Sequence, residues 1–185
     1  MARSDVALAR ARGAYERTHV LAGARGIAIA AGLTVLAIGL HRTTSTTWLV
    51  ASLLGATLAT LGWRGGAWRR GALAGVLAGL PVFVAPVVVF ALGHGGHCPS
   101  CELGPTLSCL VTCFGTSSLA GIAVGRFALA DASPMRFAGG ALAAAAFTGL
   151  LGCATTGLGG ATGIVVGLVA GGVTGWALGR RTAHA

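Results

Sequence analysis

Residues 158–178 read LGGATGIVVGLVAGGVTGWAL. The stretch carries no charged side chain and has the length of a membrane-crossing helix, which needs about 20 mainly apolar residues. Gly159, Gly163, Gly167, Gly171, Gly175 and Gly179 recur every fourth residue along it and just past its end. Residues four apart share one face of a helix. Small side chains on that face let two backbones come close, and such packing drives helix association where lipid removes the usual hydrophobic force. A pore lining would need polar groups, and only Thr162 and Thr174 supply them here. The stretch therefore reads as a transmembrane helix with a glycine packing face. A homo-oligomer contact through the same face is the alternative.

The rest of the chain agrees with this reading. Its 185 residues are 55% hydrophobic and 9% charged, with a mean hydropathy of +0.82. A soluble domain carries about 25% charged residues, so this chain cannot cover a soluble surface. The expected fold is an all-α integral membrane protein, a six-helix transmembrane bundle embedded in the lipid bilayer. Its spans fall at about 20–40, 47–63, 71–92, 103–125, 137–154 and 158–178. Residues 1–19 form a polar Arg-rich segment, 20–179 the bundle, 93–102 a His/Cys loop and 180–185 a tail. Pro81 and Pro86 should kink the third span, because each removes a helix hydrogen bond. Trp48 and Trp63 sit near the ends of the second as interfacial anchors. Residues 1–19 do not read as a cleaved leader, since the apolar run behind them is too long and no clear cleavage site follows.

Orientation follows from the arginines. There are 13 of them and no lysine, against 4 acidic residues. With six spans and a cytoplasmic N-terminus, only Arg42 falls in an outer loop; the other 12 lie inside or in the first turn of a span. Short cytoplasmic loops carry an excess of positive charge, so both termini are expected in the cytoplasm of a bacterial inner membrane. The same rule accounts for the net charge of +9 without nucleic acid, which needs charge gathered on a soluble face. No phosphate-binding loop is present, and Gly157-Leu158-Gly159 follows no strand. The outer loops contain no Asp, so no Ser-His-Asp set can form there. The expectation is that the chain is not an enzyme.

Chemistry concentrates in residues 94–113, HGGHCPSCELGPTLSCLVTC. In the expected topology His94, His97, Cys98, Cys101 and Glu102 lie in the outer loop. Cys109 and Cys113 share a face near the outer end of the fourth span, and Cys153 leaves the fifth span on the same side. That side is the periplasm, where disulfides persist. Three chemistries remain open. Cys98 and Cys101 have thiol-exchange spacing, and neighbouring histidines favour the thiolate. Alternatively His94, His97, Cys98 and Cys101 hold a soft metal ion such as zinc, copper or mercury, since two imidazoles and two thiolates suit a tetrahedral site. Or the cysteines are structural disulfides or buried small apolar residues. The count of five is odd, so at least one thiol stays unpaired within the chain.

From Cys109 onward the layout has a further feature. A cysteine opens the fourth span, and a short turn follows with Arg126, Asp131, Ser133-Pro134 and Arg136. Next comes the small-residue run Ala138-Gly139-Gly140-Ala141-Leu142-Ala143, then Cys153, then a last span ending Leu178-Gly179-Arg180-Arg181. This resembles the bacterial six-span membrane anti-sigma family, negative regulators of extracytoplasmic-function sigma factors. The resemblance covers the C-terminal half by pattern and the N-terminal half by span count and orientation. It implies that the N-terminal segment sequesters a cytoplasmic sigma factor, and that outer cysteines, here Cys109 and Cys153, release it on meeting oxidant or metal. Two other functions fit the residues: a small soft-metal transporter or metal-tolerance protein using the His94–Cys101 loop, and a membrane thiol oxidoreductase passing electrons from Cys98/Cys101 to Cys109/Cys113.

Overall fold

The computed structural model describes residues 2–40, 45–93, 104–153 and 158–182. They form six helices: α1 (Ala2–Leu40), α2 (Ser45–Arg64), α3 (Gly66–Gly93), α4 (Gly104–Ala128), α5 (Pro134–Cys153) and α6 (Leu158–Thr182). Four segments within them are long and apolar enough to cross a membrane: Tyr15–Gly39, Ser45–Arg64, Pro134–Gly152 and Gly160–Arg181. An apolar run with no water to satisfy its backbone must satisfy it internally, and the helix does so within one segment.

The helices outrun the apolar spans at one end. Residues 2–19 are helical and continue into the apolar part of α1 as one helix. The last helical residue of α4 is Ala128, and α6 reaches Thr182. Apolarity marks the depth of burial, whereas a helix stops only where a breaker or cap intervenes. Such a stop separates α2 from α3: Gly65 and Gly66 have φ of 65° and 53°, a region open to glycine without strain. The Gly65 N–H closes the end of α2 on the carbonyls of Leu61 and Gly62, at 3.3 and 3.2 Å. At α5, Ser133 accepts the first helical bond from the Phe137 N–H at 3.0 Å, with Pro134 at the position where a missing N–H costs nothing. α3, by contrast, runs unbroken through Pro81 and Pro86.

Packing is organised in three pairs. α1 and α2 lie antiparallel, with Gly26 against the Leu58 backbone and Gly62 against the Ala22 carbonyl. α3 packs on α5, and α4 on α6, each pair skipping the helix between them in sequence. Both of these pairs are parallel. Gly71, Gly75 and Gly79 meet Phe137, Ala141 and Ala145 in turn, while Gly167, Gly171 and Gly175 meet Phe114, Ser118 and Ile122. Each step of four on one helix answers a step of four on its partner. A Cβ on Gly71, Gly75, Gly171 or Gly175 would overlap a backbone carbonyl oxygen of the partner helix.

Small residues line the glycine seams, while Phe83, Leu54, Leu151 and Ile164 fill the rest of the core. Ala72, Ala141, Ala144 and Ala145 are buried, whereas Leu77, Leu119, Phe127 and Val173 stand outward, each more than 65% exposed. In water these outward side chains would gain most from burial. Lipid removes that preference and rewards close backbone approach instead.

Candidate functional site

The two ends of the bundle differ chemically. At one end lie the C-termini of α2, α4 and α6 and the N-termini of α3 and α5, with Arg64, Arg69, Arg70, Arg126, Arg136, Arg180 and Arg181. Arg17 and Arg25 on α1 reach the same level, since His19 contacts the Trp63 carbonyl and Ala22 contacts Gly62. At the other end lie the C-termini of α3 and α5 and the N-termini of α4 and α6. Cys109 and Cys113 occupy the first turns of α4, and Cys153 is the last residue of α5. His94, His97, Cys98, Cys101 and Glu102 lie outside the described residues, and so does the loop that joins Cys153 to α6.

Cys113 is fully buried, in one apolar cluster with Val82 of α3, Ala145 of α5, and Ile164 and Leu168 of α6. The thiol thus belongs to a buried cluster drawn from α3, α4, α5 and α6. One turn on, the hydroxyl of Ser117 donates to the Cys113 carbonyl. The same oxygen lies 3.2 Å from the Phe114 carbonyl and 3.4 Å from the Gly163 carbonyl on α6. It fills the space that Gly167 leaves by lacking a side chain. Gly167 is therefore needed for a polar plug between α4 and α6, directly beneath the cysteine. Ser118 and Thr148 each bury a hydroxyl oxygen with no hydrogen-bond partner among the described residues. Among the described residues no three His, Cys, Asp or Glu side chains come together, so the soft-metal set rests on the loop beyond α3.

The arginine end holds a second built feature. Arg70 at the start of α3 grips Asp131, in the turn between α4 and α5, through two parallel bonds: Nε to Oδ2 at 2.9 Å and Nη2 to Oδ1 at 3.1 Å. This fork geometry suits a carboxylate. The Ser133 N–H also donates to Asp131 Oδ1 at 3.0 Å. That backbone bond first, then the Arg70 guanidinium, holds the Asp131 carboxyl below its ordinary value, with partial burial acting against them. A third feature pins α1: His19 Nδ1 donates to the Trp63 carbonyl at 2.6 Å, with the Tyr15 ring 4.3 Å from its own. The turn chemistry of Asp131-Ala132-Ser133-Pro134 is a legible helix start. Nothing local to Arg70 or His19 points to a partner 61 or 44 residues away.

Comparison with protein-family models, curated proteins and solved structures gives no match to this chain.

Proposed function

We propose that this protein is a regulator in a bacterial inner membrane, a six-span bundle with both termini in the cytoplasm. It holds a sigma factor at its arginine-rich end and releases it when oxidant or a soft metal alters the thiols at the opposite end. The observation that carries this reading is the place of Cys113. A fully buried thiol in the cluster that joins α3, α4, α5 and α6 cannot be modified without disturbing that packing. Interiors this close-packed shift between discrete arrangements rather than deforming smoothly. A local thiol event then biases the whole bundle. The continuity of α1 from the N-terminal segment into the bundle supports a stiff path from that packing to a cytoplasmic partner.

The test is affinity purification from native membranes, comparing the full chain with one lacking residues 2–14. That deletion spares Tyr15 and His19, which hold α1 to α2. A sigma factor should co-purify with the full chain only, and mild oxidation of intact cells should release it. If no cytoplasmic protein co-purifies with either chain, regulation is refuted and soft-metal transport through the His94, His97, Cys98 and Cys101 loop takes its place.

A further inference from the structure

Between α4, α5 and α6, near the arginine end, lies a cleft of about 410 Å³. Ligand sites run from roughly 300 to 1,000 Å³, so it is large enough to hold part of a ligand. Its walls are apolar: Leu142 from α5, with Val169, Gly172 and Val173 from α6. Gly172 opens it further, since a Cβ there would meet nothing closer than Leu142 at 3.7 Å. At the arginine end its wall includes Trp176 and Arg180, and the Arg180 guanidinium lies 5.5 Å from the Trp176 ring. Arg180 makes no ion pair among the described residues.

This is an apolar slot with an arginine at its mouth, on two helices, α5 and α6, that are long and apolar enough to cross a membrane. An indole at headgroup depth places the slot in the acyl region and the guanidinium among the phosphates. We infer that the α4–α5–α6 cleft is a binding site for one anionic phospholipid, its acyl chain along Leu142 and Gly172 and its phosphate on Arg180. Charge complementarity selects this occupant: the walls exclude a polar ligand, and the one cation at the rim needs an anion. A larger cleft of about 560 Å³ between α3, α4 and α5 offers no such charge. Its rim residue is Asp131, already engaged by Arg70.

The test is native mass spectrometry of the full chain in mild detergent, titrated with phosphatidylglycerol or with phosphatidylcholine of the same acyl chains. Phosphatidylglycerol should bind about fivefold tighter, the factor one arginine supplies at an anionic surface. Arg180→Gln should bring it down to the phosphatidylcholine level. Gly172→Leu, which fills the slot, should reduce retention of both lipids. The control is Arg64→Gln. Arg64 also lies 5.5 Å over a tryptophan, Trp68, but does not line either cleft, and its loss should leave the preference intact. The inference is overturned if the two lipids bind alike, or if Arg180→Gln has no effect. It is equally overturned if Arg64→Gln acts as strongly as Arg180→Gln, or if inorganic phosphate displaces the lipid, because either result would mean surface charge alone.

Discussion

The glycine seam between α4 and α6 makes a graded prediction that period alone cannot. In Gly171→Ala the new Cβ overlaps the Ser118 carbonyl oxygen and comes within 2.8 Å of the Ser118 carbonyl carbon, where ordinary contact begins at 3.4 Å. Backbone cannot swing aside, and the overlap with the oxygen is the tighter of the two, so the helices must part by about 1 Å, a gap that forfeits roughly half of the dispersion attraction across it. Overpacking of this kind costs about 1–3 kcal/mol, and replacing glycine by alanine in a helix returns about 0.5–1, leaving a net loss on the order of 1–2 kcal/mol. Gly179→Ala meets only the Cδ1 tip of Leu129, with its next neighbour at 3.8 Å. A leucine tip can rotate away, so this variant should be near neutral. Gly32, with nothing within 4 Å, should tolerate alanine fully. Equilibrium unfolding of the purified chain, by denaturing detergent and at low protein concentration, ranks the three. The packing argument fails if Gly171→Ala matches wild type, or if Gly179→Ala is the more damaging.

Further outcomes follow from other features. Cys113, fully buried, should resist a bulky membrane-permeant maleimide in resting native membranes, and should become reactive once a small oxidant or soft metal ion has shifted the bundle, as it does after denaturation; prompt labelling of a resting chain in which Cys113 is the sole cysteine would contradict its position. The Arg70–Asp131 clamp is set by a carboxyl whose folded value is lowered, so its stabilisation is present above the ordinary carboxylate value and is lost as pH falls through the lowered one. Asp131→Asn should therefore lower the unfolding midpoint at neutral pH, with the difference from wild type vanishing in acid; a constant difference at all pH values would refute this. His19→Ala removes the bond to the Trp63 carbonyl and should cost about 0.5–1.5 kcal/mol, read as a lower unfolding midpoint, while Gly13→Ala on the same helix, with nothing within 4 Å, should cost nothing.

Helix type and the packing faces were legible because each depends on short-range pattern. Apolar runs announced segments that must satisfy their own backbones, and a glycine every four residues announced a flat face. Apolar span and helix differ in extent at the N-terminus, because charge signals the limit of the lipid and not the end of the helix, and α1 runs through residues 2–19. The expected bend at Pro81 and Pro86 falls in a helix that stays continuous from Gly66 to Gly93. Neighbouring helices can re-satisfy the backbone groups that a proline frees. Of the cysteines, spacing placed Cys109 and Cys113 on one face, but burial of Cys113 among four helices depends on residues from 82 to 168.

The helical state, the apolar lengths and the faces able to pack are written in short stretches of sequence. Hydrogen bonding within a segment and residue size at fixed spacing are local properties. The pairing of α3 with α5 and of α4 with α6, the seating of Ser117 in the hollow at Gly167 and the closure of Arg70 on Asp131 arise in the assembled fold. A glycine face accepts any backbone of matching contour. Which backbone arrives depends on complementarity between segments tens of residues apart, since in lipid every apolar face is equally dry.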